Sequence, residues 1–451
     1  MKFTEKEIQD YLWKERERWE GLILDLPEIP IFDLSVREYD VSPEKIFYNQ
    51  VVKNLQALHI KASCADIFAN ETPLSKEGAN TMRVDLLSTF LDDTSIGIIE
   101  LKKSKQTERQ AFTELLAYSN YITSLFPGST KTDVFLMLIA PMETQIVKEA
   151  LIQCLLFDKR SIVAFIPEFK DENDLTSLRL KPWIPSMADV AAFTHTSFNE
   201  KNLSVCKVVW KYSQGIWDAA KGQNPEHSMV EHLNHVSAIA AQIMEKNGIH
   251  GFAYCSQLWA ELAEALPFTN SLVLVGINPY AVASANCLSK MGVEKADLPH
   301  PLSHIEKLEN VIPGLTSSRG YSGDEYGRLY SLYSVWDSNL FRVAKEAVDL
   351  SIMVVDGSTP QTDQGFMSWD EYQRQMVEDV LCHNFSVRPT GVFRELYCEV
   401  TKHDYAFSAK NAAENHPILG DLYHLSVETL TSHNFFRKFL NRMFYANEDN
   451  T

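Results

Sequence analysis

One stretch, TMRVDLLSTFLDDTSIGIIELKKSKQTERQAFTELLAYSNY from Thr81 to Tyr121, constrains the fold more than any other. On either side of Asp92-Asp93 the residue pattern predicts two strands, Thr81–Phe90 and Ile96–Lys102, joined by a tight turn. From about Gln106 to Phe126 the apolar spacing lengthens, and Phe112, Leu115, Leu116, Ser119 and Ile122 gather on one side of a helix. Asp133–Ala140, DVFLMLIA, is then a continuous apolar run bounded by turn signals, as expected of a buried central strand. Strand, strand, helix and buried strand in succession require a sheet covered by helices, an α/β domain with a mixed sheet.

The flanking chain extends this reading. Thr4–Leu24 is charged at helical spacing and is followed by the Pro-punctuated LPEIPIFDL. Ser42, Pro43 and Glu44 read as N-cap, first helical residue and first-turn acid, ahead of a stripe at Ile46, Phe47, Val51, Leu55 and Leu58. Asn70–Gly78 reads as loop, Glu143–Phe157 as helix and Ser161–Ile166 as strand. The α/β domain is therefore expected over residues 1–168, with a polar, Pro-broken linker over 169–190. Residues 191–451 read as a mainly α-helical domain: Val205–Ala220, Met229–Lys246 and Ser256–Leu266 as helices, with short strands at Ser271–Ile277 and Leu350–Val355.

Bulk properties narrow the setting. No segment offers about 18 uninterrupted apolar residues, and the first residues lack the apolar core of a signal peptide. The seven cysteines form no C-x-x-C pair, which predicts a reducing compartment, the cytoplasm, rather than a disulfide framework or zinc site. A net charge of −18 excludes indiscriminate coating of nucleic acid but leaves room for a local basic groove.

The chemistry concentrates in the hairpin. With the turn centred on Asp92-Asp93, Leu91 faces Thr94 and Asp85 faces Glu100. Directly opposed residues hold their Cβ atoms about 4.5–5.5 Å apart, so two carboxylates share one face. Unpaired, they repel, and the arrangement calls for a divalent cation between them. Lys102, two residues beyond Glu100, points to that face as well. Asp85, Glu100 and the Leu101 main-chain carbonyl would supply hard oxygen ligands, leaving a position for water. Lys102 would orient or help deprotonate that water and offset negative charge building on a phosphodiester.

An Asp85-x14-Glu100-Leu101-Lys102 string on a strand pair, followed by a helix, resembles the PD-(D/E)-x-K nuclease superfamily. The resemblance covers about a third of the chain. It implies a restriction-endonuclease-like fold, Mg²⁺ or Mn²⁺ as cofactor, and Asp85, Glu100 and Lys102 as catalytic residues. A preceding helix in that family often adds an acid, for which Glu44 is the candidate. One branch carries Q-x-x-x-Y on the following helix. Here Glu114 and Tyr118 occupy that place, with Gln110 one turn earlier, and Val84 stands where the family's Pro precedes the Asp. The implied activity is metal-dependent DNA cleavage in a restriction-like or phage-defence role. DNA is favoured over RNA, and pairing of at least two copies would let both strands be cut. The competing expectation is a non-catalytic binding or scaffold protein on the same fold.

Other features compete less well. Lys103, Lys105 and Arg109 extend a basic run beside Lys102 that could meet a phosphate backbone or simply be a solvated face. A second string, Asp158 to Glu168-Phe169-Lys170, falls outside the strand context. His227, Glu231 and His235 lie on one helix, but i and i+8 are about 12 Å apart along its axis. Arg319, Tyr321, Tyr326, Arg328, Tyr330 and Tyr333 interleave cations with rings, suited to bases or to packing. PGSTKTD around Lys131 lacks P-loop spacing, and GINPYA lacks that of a dinucleotide fingerprint.

Overall fold

The computed structural model describes residues 2–33, 43–74, 82–91, 93–130, 132–186, 198–211, 227–263, 266, 268–283, 327–356, 362–367, 369, 372–373, 382–402 and 431–445. The chain divides into two units, Met1–Phe32 with Tyr48–Ala191, and Asp33–Phe47 with Ala192–Thr451.

The first unit opens with α1 (Glu5–Lys14), begun by a reciprocal cap. The Thr4 hydroxyl accepts the Glu7 N–H at 3.2 Å, and the Glu7 carboxylate accepts the Thr4 N–H at 2.7 Å. The single helix expected to Leu24 is instead broken by a 3-10 turn at Arg16–Arg18 before α2 (Trp19–Leu22). That break buries Trp19, whose indole N–H donates to the Ala62 carbonyl at 2.9 Å. α3 (Pro43–Ser63) starts at Pro43, as its fixed φ and missing N–H favour.

There follow β1 (Ala65–Leu74), β2 (Met82–Phe90), β3 (Asp93–Leu101), α4 (Lys105–Leu125), β4 (Val134–Ile139), α5 (Gln145–Ile152), β5 (Ile162–Phe169) and β6 (Leu178–Trp183). The six strands form one mixed sheet in the order β1-β2-β3-β4-β5-β6. β3, β4 and β5 run parallel, and the outer pairings are antiparallel. α4 makes the crossover from β3 to β4 and packs on both. β4 is buried at every position, as the unbroken apolar run predicts.

Two expectations for this unit need correction. Asn70–Leu74, read as loop, is the second half of β1, an edge strand whose register slips between Ile67 and Ala69. The linker over residues 169–190 contains β6, paired with β5, so the sheet continues past residue 168. Pro182 disguised it, yet a proline is tolerated there because β6 is an outer strand.

The second unit overturns the mainly helical expectation. β7 (Leu203–Trp210), β8 (Gly251–Leu258), β9 (Asn270–Ile277), β10 (Thr362–Met367), β11 (Cys382–Asn384) and β12 (Arg388–Thr390) form an antiparallel sheet. Its order is β10-β7-β9-β8-β11, with β12 also on β8. α6 (His227–Lys246) and α7 (Gly327–Asp356) pack on one face through Leu233, Ala240, Val343 and Ala347 against Val208, Trp210, Leu272 and Leu274. Residues of the opposite parity on β8 meet an aromatic cluster, with Phe252 5.0 Å from Phe436 between ring centroids. A helix at 391–402, α8, and α9 (His433–Tyr445) supply Phe393, Tyr397 and Phe436 to it.

Here short apolar runs deceive, because periodicity alone does not separate a strand from a few helical turns. The expected helix from Val205 is β7, and the one from Ser256 begins inside β8. The expected strand Leu350–Val355 is the end of α7, whose buried stripe runs Leu340, Val343, Ala344, Ala347, Val348, Ser351 and Ile352. Met229–Lys246 and Ser271–Ile277 fold as read. No described helix is long and apolar enough to cross a membrane.

Candidate active site

The β2–β3 seam sets the geometry. Leu86 pairs with Ile99, Leu87 with Ile98 and Ser88 with Gly97, the register that carries Asp85 toward Glu100. The turn is tighter than a symmetric loop on Asp92-Asp93, for Phe90 pairs with Asp93 after a register shift beyond Ser88. Gly97 permits the approach: a Cβ there would lie 2.0 Å from the Ser88 hydroxyl. The predicted register thus holds from Ser88 to Leu86 and fails at the hairpin tip.

Asp85 reaches across the seam, and its carboxylate accepts the Leu101 N–H at 2.8 Å. Leu101 meets Asp85 through its N–H, a different group from the carbonyl expected as a metal ligand. Lys102 turns back onto the Glu100 side, its Nζ 2.6 Å from Glu100 Oε1. The same ammonium lies 3.0 Å from Glu114 and 3.5 Å from Glu5. Glu100 is 2% exposed and the Lys102 side chain 9%. Glu100 is also hydrogen-bonded with Glu114.

Burial shapes the electrostatics. Desolvation raises Asp85 to about 6, against the pull of the Leu101 N–H and Lys102. Desolvation, reinforced by the neighbouring Asp85 charge, raises Glu100 to about 9. For Lys102, burial alone would lower the ammonium, but Glu100, Glu114 and Glu5 together hold it above its ordinary value. Glu114 is lowered: its hydrogen bonds with Glu100, Lys102 and Gln110 outweigh its desolvation. Burial first, then the surrounding carboxylates, raise Tyr118.

The supporting residues divide. Gln110 donates to Glu114 at 2.8 Å, and Tyr118 donates to the Arg83 carbonyl at 2.7 Å, fastening α4 to β2 beside Asp85. Lys103 acts at a distance on Glu7. The side chains of Lys105, Arg109 and Glu44 lie outside the described residues, as do Arg319, Tyr321 and Tyr326 and the side chains of Arg328, Tyr330 and Tyr333. In the rejected string Glu168 is within β5 rather than a linker, and it pairs with Lys181 at an exposed site.

Three contributors escaped sequence reading. Glu5, in the first turn of α1, is a helix acid that the fold brings to Lys102. Gln9, one turn on and buried, donates to the Asp85 carbonyl at 3.0 Å and to Asn70 at 2.8 Å. Glu108, buried in α4, accepts the Glu143 and Thr144 N–H groups at 3.1 and 2.9 Å and so anchors the start of α5. Glu5 and Gln9 share one helical face at i and i+4, the only local signal available.

Among the described residues no three His, Cys, Asp or Glu side chains stand at metal-ligand spacing. Two carboxyls, of Asp85 and Glu100, meet the oxygen-donor preference of a hard ion that keeps most of its sites for water and phosphate.

No protein-family model, curated protein or solved structure matches the chain.

Proposed function

We propose that the first unit is a metal-dependent endonuclease cutting DNA phosphodiester bonds, in a restriction-like or phage-defence role, with copies pairing so that both strands are cut. The observation that carries this reading is the convergence of Asp85, Glu100 and Lys102 at one end of the β2–β3 seam. Four carboxyls, of Glu5, Asp85, Glu100 and Glu114, surround a single ammonium there, an excess of negative potential that favours a cation.

Asp85 and Glu100 would hold Mg²⁺ or Mn²⁺, which when bound lowers the pKa of water and polarises a phosphoryl oxygen. The Leu101 N–H fixes the Asp85 carboxylate, and Gln9 fixes the strand that carries it. Lys102, held above its ordinary pKa, remains an ammonium at neutral pH. Its part is therefore to donate a hydrogen bond and to offset charge developing on the phosphate, rather than to remove a proton.

A second reading, a non-catalytic binding or scaffold protein on this fold, is favoured by the closure of Lys102 among three carboxyls, of Glu5, Glu100 and Glu114. Incubating the purified chain with supercoiled and linear DNA in Mg²⁺, Mn²⁺ or EDTA separates the two. Metal-dependent nicking that disappears in Asp85→Asn and Lys102→Met supports the nuclease. Cleavage undiminished in those variants removes the site assignment.

A further inference from the structure

A cavity of about 710 Å³ lies within the second unit, where α6, β12 and α8 come together. Ala238 and Ala241 of α6, Val387 and Pro389 at β12, and Tyr397 of α8 make its walls largely apolar. Ala238 and Ala241 are three apart and share a helix face, so their small side chains leave the room that longer ones would fill. A concave, mostly apolar space of this volume with a few polar groups on its wall has the form of a small-ligand site.

The charged groups on that wall are not equivalent. Glu245, its one carboxyl among the described residues, is already engaged: it accepts the Gly391 N–H at 2.8 Å and pairs with Arg394 at 3.1 Å. Lys402 is held by Glu399 at 2.7 Å. Arg388 differs from both cations. It is half-buried on β12, and no described residue ion-pairs with its guanidinium or accepts a hydrogen bond from it. Its Nε is closed off, whereas its two terminal nitrogens stay accessible. A guanidinium remains charged throughout the pH range in which proteins fold, and withdrawing it from water without a counter-ion is costly. In a chain of net charge −18, an uncompensated cation on an apolar wall runs against the bulk composition and leaves this cavity positive.

We propose that this cavity binds a small carboxylate with an apolar body, a fatty acid of medium length, with its head group on Arg388 and its chain along Ala238, Ala241 and Tyr397. The two accessible nitrogens of Arg388 match a carboxylate through parallel N–H···O bonds. Burial of the chain against the apolar wall supplies the rest of the affinity. A solvated arginine lacks the second feature, and an apolar hollow lacks the first.

The test is calorimetric titration of the full chain with octanoate, with octanol and octyltrimethylammonium in parallel arms. Saturable binding of octanoate is expected, about tenfold or more tighter than that of octanol, with none of the cation. Arg388→Met keeps an apolar stem and should reduce octanoate to the affinity of octanol. Ala241→Trp fills the cavity and should abolish both. Absence of saturable octanoate binding, equal affinity for octanoate and octanol, or octanoate binding unchanged in either variant overturns the proposal. Should the variants fail to fold, thiol alkylation of the wild-type chain decides, because Cys398 is exposed and lines the cavity while Cys64 is exposed in the first unit. Octanoate must slow alkylation of Cys398 and leave that of Cys64 as it was. An unchanged rate at Cys398 overturns it.

Discussion

The Leu101 N–H donates to the Asp85 carboxylate at 2.8 Å, so the residue expected to hold a metal also closes the β2–β3 seam. The two roles separate by substitution. Asp85→Asn keeps an oxygen acceptor for Leu101, whereas Asp85→Ala leaves a buried N–H unsatisfied, at a cost of about 1–3 kcal/mol. Asp85→Asn should therefore unfold within a few degrees of wild type yet lose at least about 100-fold in cleavage rate, close to 2.7 kcal/mol of barrier. Asp85→Ala should lose both. Thermal melts beside a plasmid-nicking assay make the comparison, and equal stability of the two variants would show that the contact carries no weight.

Lys102 and a bound cation draw on the same carboxylate, Glu100. Replacing the ammonium with an apolar side chain of similar length removes that competition. Lys102→Met should bind Mn²⁺ more tightly, by about tenfold, because one like charge nearby has gone. Cleavage should nevertheless fall to background, since the group offsetting charge on the phosphate is lost. Titration monitored by Mn²⁺ paramagnetic resonance reads the affinity. Weaker binding in Lys102→Met would mean that Lys102 preorganises the carboxylates instead of competing for them.

Glu5 reaches Lys102 from another element and is partly exposed, at 37%. Its contribution to stability should be small, as for solvent-exposed ion pairs in general, about 1 kcal/mol or less. Glu5→Gln should then cut cleavage far less than Asp85→Asn while leaving the melting temperature nearly unchanged. A loss equal to that of Asp85→Asn would make Glu5 a ligand in its own right.

The contrast between Glu5 and Glu100 shows what sequence can carry. Asp85, Glu100 and Lys102 are legible because strand alternation and a short turn fix cross-strand neighbours once the register is known. Nothing local announces that α1 will place Glu5 over Lys102, because that contact depends on packing between elements far apart in the chain. The hairpin tip was harder to read, for its register shifts between Ser88 and Phe90, just beyond the close pairing of Gly97 with Ser88. In the second unit, β7 was mistaken for helix because eight mostly apolar residues satisfy either period over so short a run. α7, by contrast, hid its length behind a β-branched end that alone resembles a strand.

Gly97 offers a test of that register shift. A methyl group there would lie 2.0 Å from Ser88 Oγ and 3.1 Å from Phe90, both buried. Gly97→Ala should destabilise the chain by about 1–3 kcal/mol, the usual cost of overpacking. The Ser88 hydroxyl is buried with no hydrogen-bond partner among the described residues, so Ser88→Ala should be neutral or slightly stabilising. The double variant should recover part of the Gly97→Ala loss. Simple additivity in denaturant melts would place the strain elsewhere.

Proton uptake at the site gives the last prediction a definite sign. Asp85 and Glu100 are raised to about 6 and about 9 by burial, whereas in the unfolded chain such carboxyls ionise near pH 4. Between those values the folded state holds protons that the unfolded state has lost. Stability of the metal-free chain must then fall as pH rises from about 4 through 6, and more gently on toward 9, by up to about 1.4 kcal/mol per pH unit for each proton retained. Lys102, raised above its ordinary value, adds no slope in this range, since its contribution is constant until pH exceeds that value and is lost only beyond it. A divalent cation displaces the retained protons, so its affinity must rise with pH and its binding must release acid. Melting curves with and without Mg²⁺ from pH 5 to 9 should therefore diverge as pH increases, with proton release near pH 8 measurable in two buffers of different ionisation enthalpy. Asp85→Asn should flatten the lower limb of the metal-free profile and shrink the Mg²⁺-dependent divergence. Parallel profiles with and without metal would exclude these carboxyls as its ligands.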